Sequence, residues 1–150
     1  MLTDPVRGFK DSARNILDTG EFVVNLVPER LVEAANLTSI DAPRGVEELA
    51  LAGLATTASV HIKPPRISDS PVAFECRTHT TVETGPGQLV VIGQVIAVHI
   101  EDRFILDAEK GYIDAPALDL IARSYGSDYV RSHDTFQLHR PTWAGLAREA

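Results

Sequence analysis

The sequence predicts a mainly β chain with peripheral helices, folded as a small antiparallel barrel. Three observations predict it. Val72, Phe74, Cys76, Thr78, Thr80 and Val82 alternate with Ala73, Glu75, Arg77, His79, Thr81 and Glu83, the period-two pattern of a strand. Thr84-Gly85-Pro86-Gly87 then turns the chain into a second long apolar run, residues 88–101, which completes a hairpin. A short helix over residues 9–20 runs straight into a third strand, residues 21–27, in which Phe22, Val24 and Leu26 alternate with polar neighbours.

Taken in order, the first helix carries Phe9, Ala13, Ile16 and Leu17 on one face. Asp11 or Ser12 is placed to cap it, and Gly20 sits where a left-handed helix end is expected. Pro28 suits the first turn of a second helix, with Leu31, Val32 and Ala35 turned inward. Residues 36–45 are turn-rich, and a short helix follows from Val46 to Ala52, ending near Gly53. Ala58 to Ile62 reads as a short strand closed by Lys63-Pro64-Pro65-Arg66, where two prolines favour an extended, edge-like path. The return strand of the hairpin is apolar on both faces, so it needs a second layer such as a barrel interior plus a partner subunit. Gly93 in its middle suggests a bulge or a close backbone approach. Short segments follow at 104–106 and 111–113, a short helix is expected from Pro116 to Arg123, and the chain continues in a polar stretch with Tyr125, Tyr129, Phe136 and Trp143.

Composition narrows the function classes. The length of 150 residues suits one domain, residues 1–150, with 44% hydrophobic and 23% charged residues, a globular balance. A net charge of −7 argues against a nucleic-acid partner. No apolar run approaches the roughly 18 residues of a membrane span, and Met1 to Arg7 lacks the apolar core of a signal peptide. The single cysteine, Cys76, rules out an internal disulfide and fits a reducing compartment. The expectation is a cytoplasmic protein.

Most constellations of reactive residues can be set aside. His61, His79 and His99 lack a second ligand at metal spacing, so no metal site is expected. Ser132-His133-Asp134 holds triad residue types, but sequence neighbours cannot face one another as a triad requires. No glycine-rich phosphate loop is present. Cys76 lies on the apolar face of its strand and reads as packing, and Glu47-Glu48 and Glu101-Asp102 read as solvated surface. What remains are two places rich in anion-binding groups. One is the helix start, where Lys10 and Ser12 stand beside unpaired amides at the positive pole. The other is the turn from Lys63 to Arg66.

Several ordered motifs resemble one family. Phe9-Lys10-Asp11-Ser12-Ala13-Arg14-Asn15-Ile16, followed by Thr19-Gly20-Glu21-Phe22-Val23-Val24-Asn25-Leu26-Val27, is similar to the Lys-Asp-Thr-x-x-Asn helix and Gly-Glu-Phe-Val-Val-Asn strand of the flavin reductase-like FMN-binding split-barrel family. Ala50-Leu51-Ala52-Gly53-Leu54, the Lys63-Pro64-Pro65-Arg66-Ile67 turn, Ser70-Pro71-Val72-Ala73-Phe74-Glu75-Cys76-Arg77, Val91-Ile92-Gly93-Gln94-Val95, Gly126-Ser127-Asp128-Tyr129 and Arg140-Pro141 continue the likeness over about residues 9–141.

The resemblance implies an antiparallel Greek-key split β-barrel and a homodimer that holds FMN, or alternatively FAD, near the subunit interface. It implies hydride transfer from NADH or NADPH to the flavin, with electrons passed to a monooxygenase partner or another acceptor. Lys10 and Ser12 would hold the FMN phosphate, Ser12 standing where the family usually has Thr. Asp11 would cap the helix and Asn15 would orient the loop. Arg66 would place a charge near the flavin or nicotinamide phosphate, Tyr129 would stack near the flavin or fill the interface, and His133 and His139 stand as contacts for the nicotinamide donor. No acid or base residue is required, so the catalytic residues stay unassigned. The family's strands ahead of this helix supply further flavin contacts. Here eight residues precede Phe9, and Met1-Leu2-Thr3 reads as the tail of a strand, so the barrel is expected to lack its N-terminal strands. The alternative function is therefore a non-catalytic flavin-binding or dimerising module, its activity lost with those strands.

Overall fold

The computed structural model describes residues 3–4, 8–43, 45–85 and 88–146. The expected strand tail at Met1-Leu2 and the turn centre at Pro86-Gly87 lie outside them. Strand β1 (Thr3–Asp4) pairs antiparallel with β2 (Gly8–Phe9), which leads into helix α1 (Asp11–Thr19) and strand β3 (Glu21–Asn25). A 3-10 turn at Glu29–Leu31 opens α2 (Val32–Leu37), and α3 (Glu48–Leu51) follows. β4 (Thr56–Thr57) pairs with β5 (Arg66–Ile67). Then come the long strands β6 (Val72–Gly85) and β7 (Gln88–Ile100), the hairpin β8 (Ile105–Asp107) and β9 (Tyr112–Ile113), and the hairpin β10 (Ile121–Arg123) and β11 (Tyr129–Arg131). A short α4 (Trp143–Leu146) is the last described element.

The central sheet runs β3-β6-β7, antiparallel throughout, and among the described residues the strands close no barrel. One face carries the core, where Val72, Phe104 and Leu118 are buried with Leu26, Phe74, Ile100, Ile113 and Leu120 packed against them. Gly93 is a close approach, as its position suggests. A Cβ there would overlap the Phe22 ring and lie 3.4 Å from the Cβ of Cys76. The pairing register shifts on β6 between Thr78 and Thr80, beside this contact, and again between Glu75 and Cys76.

The opposite face is roofed by residues 58–67, and side chains of the sheet hold that roof. Glu75 accepts the N–H groups of Val60 and His61 at 2.7 and 2.8 Å. Glu21 accepts from the amide of Lys63 and Asn25 from that of Ile67, each at 3.0 Å. The expected strand at 58–62 is corrected here. The strand lies earlier, at Thr56–Thr57, because the amides after it turn down onto these carboxylates instead of joining a ladder.

Three further expectations change. The N-cap position of α1 is Lys10, with no side-chain cap, since the N–H of Arg14 already donates to the Lys10 carbonyl at 3.0 Å. Asp11 and Ser12 therefore sit inside the first turn rather than capping it. Leu17 is 43% exposed, and the buried residues of the short helix are Ala13 and Ile16. The expected helix from Pro116 to Arg123 is a single 3-10 turn, ended by Asp119 in the left-handed region at φ 49°, after which the chain bridges Pro28 and enters β10. Glu75, one of the residues that alternate with the apolar side chains of β6, is fully buried. Finally, β7 is apolar on both faces as read, yet within the single chain Val90, Ile92, Val95 and Val98 stay about half exposed.

Candidate functional site

Helix α1 begins at the wall of a hollow of about 260 Å³. The β2–α1 junction supplies Phe9, Lys10, Asp11 and Ser12, and Asn15 follows one turn along. The opposite wall is the end of α2 and the loop after it, from Thr38 to Ala42, together with Glu48. That wall is shaped by its own turns, in which Thr38 Oγ1 donates to the Ala35 carbonyl at 2.8 Å and Ser39 Oγ to that of Asn36 at 2.6 Å. At the other end of α1, Gly20 takes φ 68° and donates its N–H to Ile16, fixing the direction in which the helix enters β3.

The expected residues Lys10, Asp11, Ser12 and Asn15 thus come together on one hollow. Lys10 and Ser12 are exposed there, and the first amides of an α-helix have no partners within it, so this end offers a cation, a hydroxyl and N–H donors together. These donors suit an anionic group such as a phosphate. Three carboxylates, Asp11, Asp41 and Glu48, share the lining and limit how much negative charge the hollow holds, although Asp11 and Asp41 are already engaged within the chain.

Arg66 and Tyr129 lie elsewhere. Tyr129 is in β11, paired with Arg123 of β10 and 41% exposed. Arg66 is in β5 and lines a second hollow, of about 330 Å³, with Ser68, Ser70, His99 and Glu101 among its neighbours. His133 is held by Asp119, its Nδ1 3.0 Å from a carboxylate oxygen, and His139 is exposed.

His99, on the wall of the second hollow, belongs to a pair that alternation alone did not reveal. Glu75 Oε1 is 2.7 Å from His99 Nε2, so the buried carboxylate takes three hydrogen bonds in all. Burial alone would push this carboxyl up, but the two amides and His99 outweigh it and hold it at about 2. A register signal was present: Ala73 pairs with His99 and Glu75 with Ala97, which places Glu75 and His99 diagonally on one face. Cys76, in contrast, is buried and its thiol is pushed up by desolvation, in keeping with packing. Among the described residues no helix is long and apolar enough to cross a membrane.

Comparison with known proteins places these features in a family. Residues 6–115 match the family described as "Flavin reductase like domain". An uncharacterized protein of Deinococcus radiodurans is 38% identical over 136 residues, which cover 90% of this chain and 60% of that one. The structure of 2-nitrobenzoate 2-nitroreductase NbaA from Pseudomonas fluorescens superposes with a TM-score of 0.82 at 31% identity, covering 89% of this chain and 66% of that one. Nitrilotriacetate monooxygenase component B from Bacillus cereus gives 0.83 at 30% identity, with 91% and 68% covered. The chain spans about three-fifths of the length of the Deinococcus relative. The architecture is that of a split-barrel flavin reductase, mainly β with peripheral helices.

Proposed function

This chain belongs to the flavin reductase like domain family, and from that premise we propose that it binds FMN and transfers hydride from NADH or NADPH to it. The observation that carries the reading is the α1 start, where Lys10, Ser12 and the first-turn amides of a family member share one hollow. When bound, the flavin supplies the hydride and electron chemistry, and the protein's part is to hold and orient it. Lys10 and Ser12 bind the phosphate. Asp11 at the first helical position favours the helix dipole, and Asn15 orients the loop beside it. Arg66 places a charge near the flavin or nicotinamide phosphate, and Tyr129 stacks near the flavin or fills the subunit interface. FMN is preferred to FAD because the helix start gathers a cation, a hydroxyl and amide donors at one point, which suits one terminal phosphate.

The reading extends to a homodimer, supported by the apolar residues that β7 leaves uncovered, and to a reducing cytoplasm, supported by the lone buried thiol. Electrons then pass to a monooxygenase partner or a small acceptor, the roles suggested by the two similar structures.

The visible spectrum of the purified protein, before and after addition of FMN and desalting, tests this function. A retained flavin spectrum followed by NADH or NADPH oxidation is the expected result. Retained flavin without oxidation would favour the non-catalytic flavin-binding module, and protein that neither holds nor reduces FMN would overturn the proposal.

A further inference from the structure

A third hollow, of about 130 Å³, lies where α2, α3 and the end of β3 meet. Leu26 just past β3, Leu31 and Ala35 from the second helical segment, Leu49 of α3, Leu54 after it and Ile67 of β5 converge on it. No residue on its wall carries a charge. Leu49 is 36% exposed, so this wall borders solvent and a small molecule can enter without the sheet opening.

The polar side chains on the wall are taken up by the protein itself. Ser70 Oγ lies 2.8 Å from the carbonyl oxygens of both Leu26 and Val72 and donates between them. Thr38 Oγ1 donates to the Ala35 carbonyl at 2.8 Å, and Asn25 Oδ1 accepts from the Ile67 amide at 3.0 Å. The Asn25 amide nitrogen is the one side-chain donor on the wall without a bond among the described residues. A water held in a cavity needs two to four polar partners, and this wall offers one. Hydrocarbon suits it better, and an apolar cavity of about 150 Å³ holds a molecule the size of benzene. Ala35 is the smallest side chain on the wall, so added carbons there would fill the hollow.

We propose that this hollow binds a neutral organic molecule built on a single six-membered ring. A ring bearing a carboxylate is excluded, because the buried charge would meet no cation and only one donor. Fused rings are excluded by volume, since one ring already takes most of the space. The site is independent of the flavin reading, for Lys10 and Ser12 are not on its wall. It is nevertheless a neighbour of the α1 hollow. Thr38 lines both, and Glu48 and Leu49, successive residues of α3, line one each. A ring held here lies beside whatever group the α1 start holds.

The test follows the fluorine resonance of fluorobenzene as the intact protein is titrated into it. The expected result is a saturable shift, matched by a rise in thermal midpoint as fluorobenzene is added. The charged analogue para-fluorobenzoate should give no saturable shift. Ala35→Leu fills the hollow and should abolish the response. Ala35→Met does the same with a side chain that adapts to irregular space, and serves if the leucine variant does not fold. Val95→Lys, on the uncovered apolar part of β7, should leave the response intact, which separates the hollow from adsorption to exposed apolar surface. No saturable shift with fluorobenzene, an equal one with para-fluorobenzoate, one unchanged in a folded Ala35 variant or one lost with Val95→Lys would each overturn the site. A protein that passes this test but fails to hold FMN would lose the flavin reading and keep the ring site.

Discussion

Phe22 and Gly93 occupy one space. The ring on β3 reaches across Cys76 of β6 to the backbone of β7, where a Cβ at residue 93 would overlap Cζ and lie 2.9 Å from Cε1. Gly93→Ala is expected to destabilise the protein by about 1–3 kcal/mol, the usual cost of forcing extra volume into a packed contact. Urea unfolding measures it. In a Phe22→Leu background the same substitution should cost less, because the atoms it strikes are gone, and the double-mutant cycle gives the coupling directly.

Glu75 makes stability pH-dependent on the acid side. Its carboxyl sits at about 2 in the folded protein against 4.5 ordinarily, so the unfolded chain takes up the proton first. The stabilisation is fully present above the ordinary carboxylate range and is lost as pH falls from about 4.5 toward 2. Glu75→Gln leaves one of three donors facing an amide NH₂ and should cost about 1–3 kcal/mol near neutral pH, the cost of one unsatisfied buried group. Its urea midpoint should also change less between neutral pH and about pH 3 than that of the parent.

At the α1 start, removal of the ammonium in Lys10→Ala should weaken FMN binding roughly tenfold, the scale of one charge-assisted hydrogen bond. Ser12→Ala should weaken it less. Neither should alter binding of riboflavin, which has no phosphate, and fluorescence titration of both flavins separates a phosphate contact from a general loss of fold.

The Cys76 thiol is 3% exposed and pushed up by burial. A thiol reagent should modify it slowly in native protein and rapidly in urea. Fast native labelling would contradict its placement under Phe22.

Sedimentation should report a dimer. Val95→Lys together with Val98→Lys, which puts charge on the uncovered apolar part of β7, should shift it to monomer with the secondary structure retained.

The elements set by local chemistry were legible in the chain. Period-two alternation located β6, the turn and the long apolar run after it located β7, Gly20 marked the end of α1, and Lys10, Ser12 and Asn15 fell together because helical spacing already puts them on neighbouring turns. What escaped depended on tertiary partners. The alternation of β6 does not single out Glu75, and only the amides of a loop fifteen and fourteen residues earlier make it a buried acceptor. The same bonds explain why 58–62 is not a strand. Pro116 announces a helix start, but Asp119 in the left-handed region and the bridge from Leu120 to Pro28 end it after one turn. The pairing of Arg66 with His99 on one hollow joins segments thirty-three residues apart, which no local pattern encodes.

The way residues 58–67 are fastened sets how this part of the molecule breathes. Their amides at Val60, His61, Lys63 and Ile67 donate to side chains rooted in β3 and β6, not to a neighbouring strand. A segment with so little ladder of its own would ordinarily exchange its amide hydrogens as a frayed loop does. Here those four should exchange slowly, and release only when Glu21, Asn25 and Glu75 let go with the sheet beneath them. The segment bearing Arg66 and the strand bearing Glu75 should then open and close as one cooperative unit.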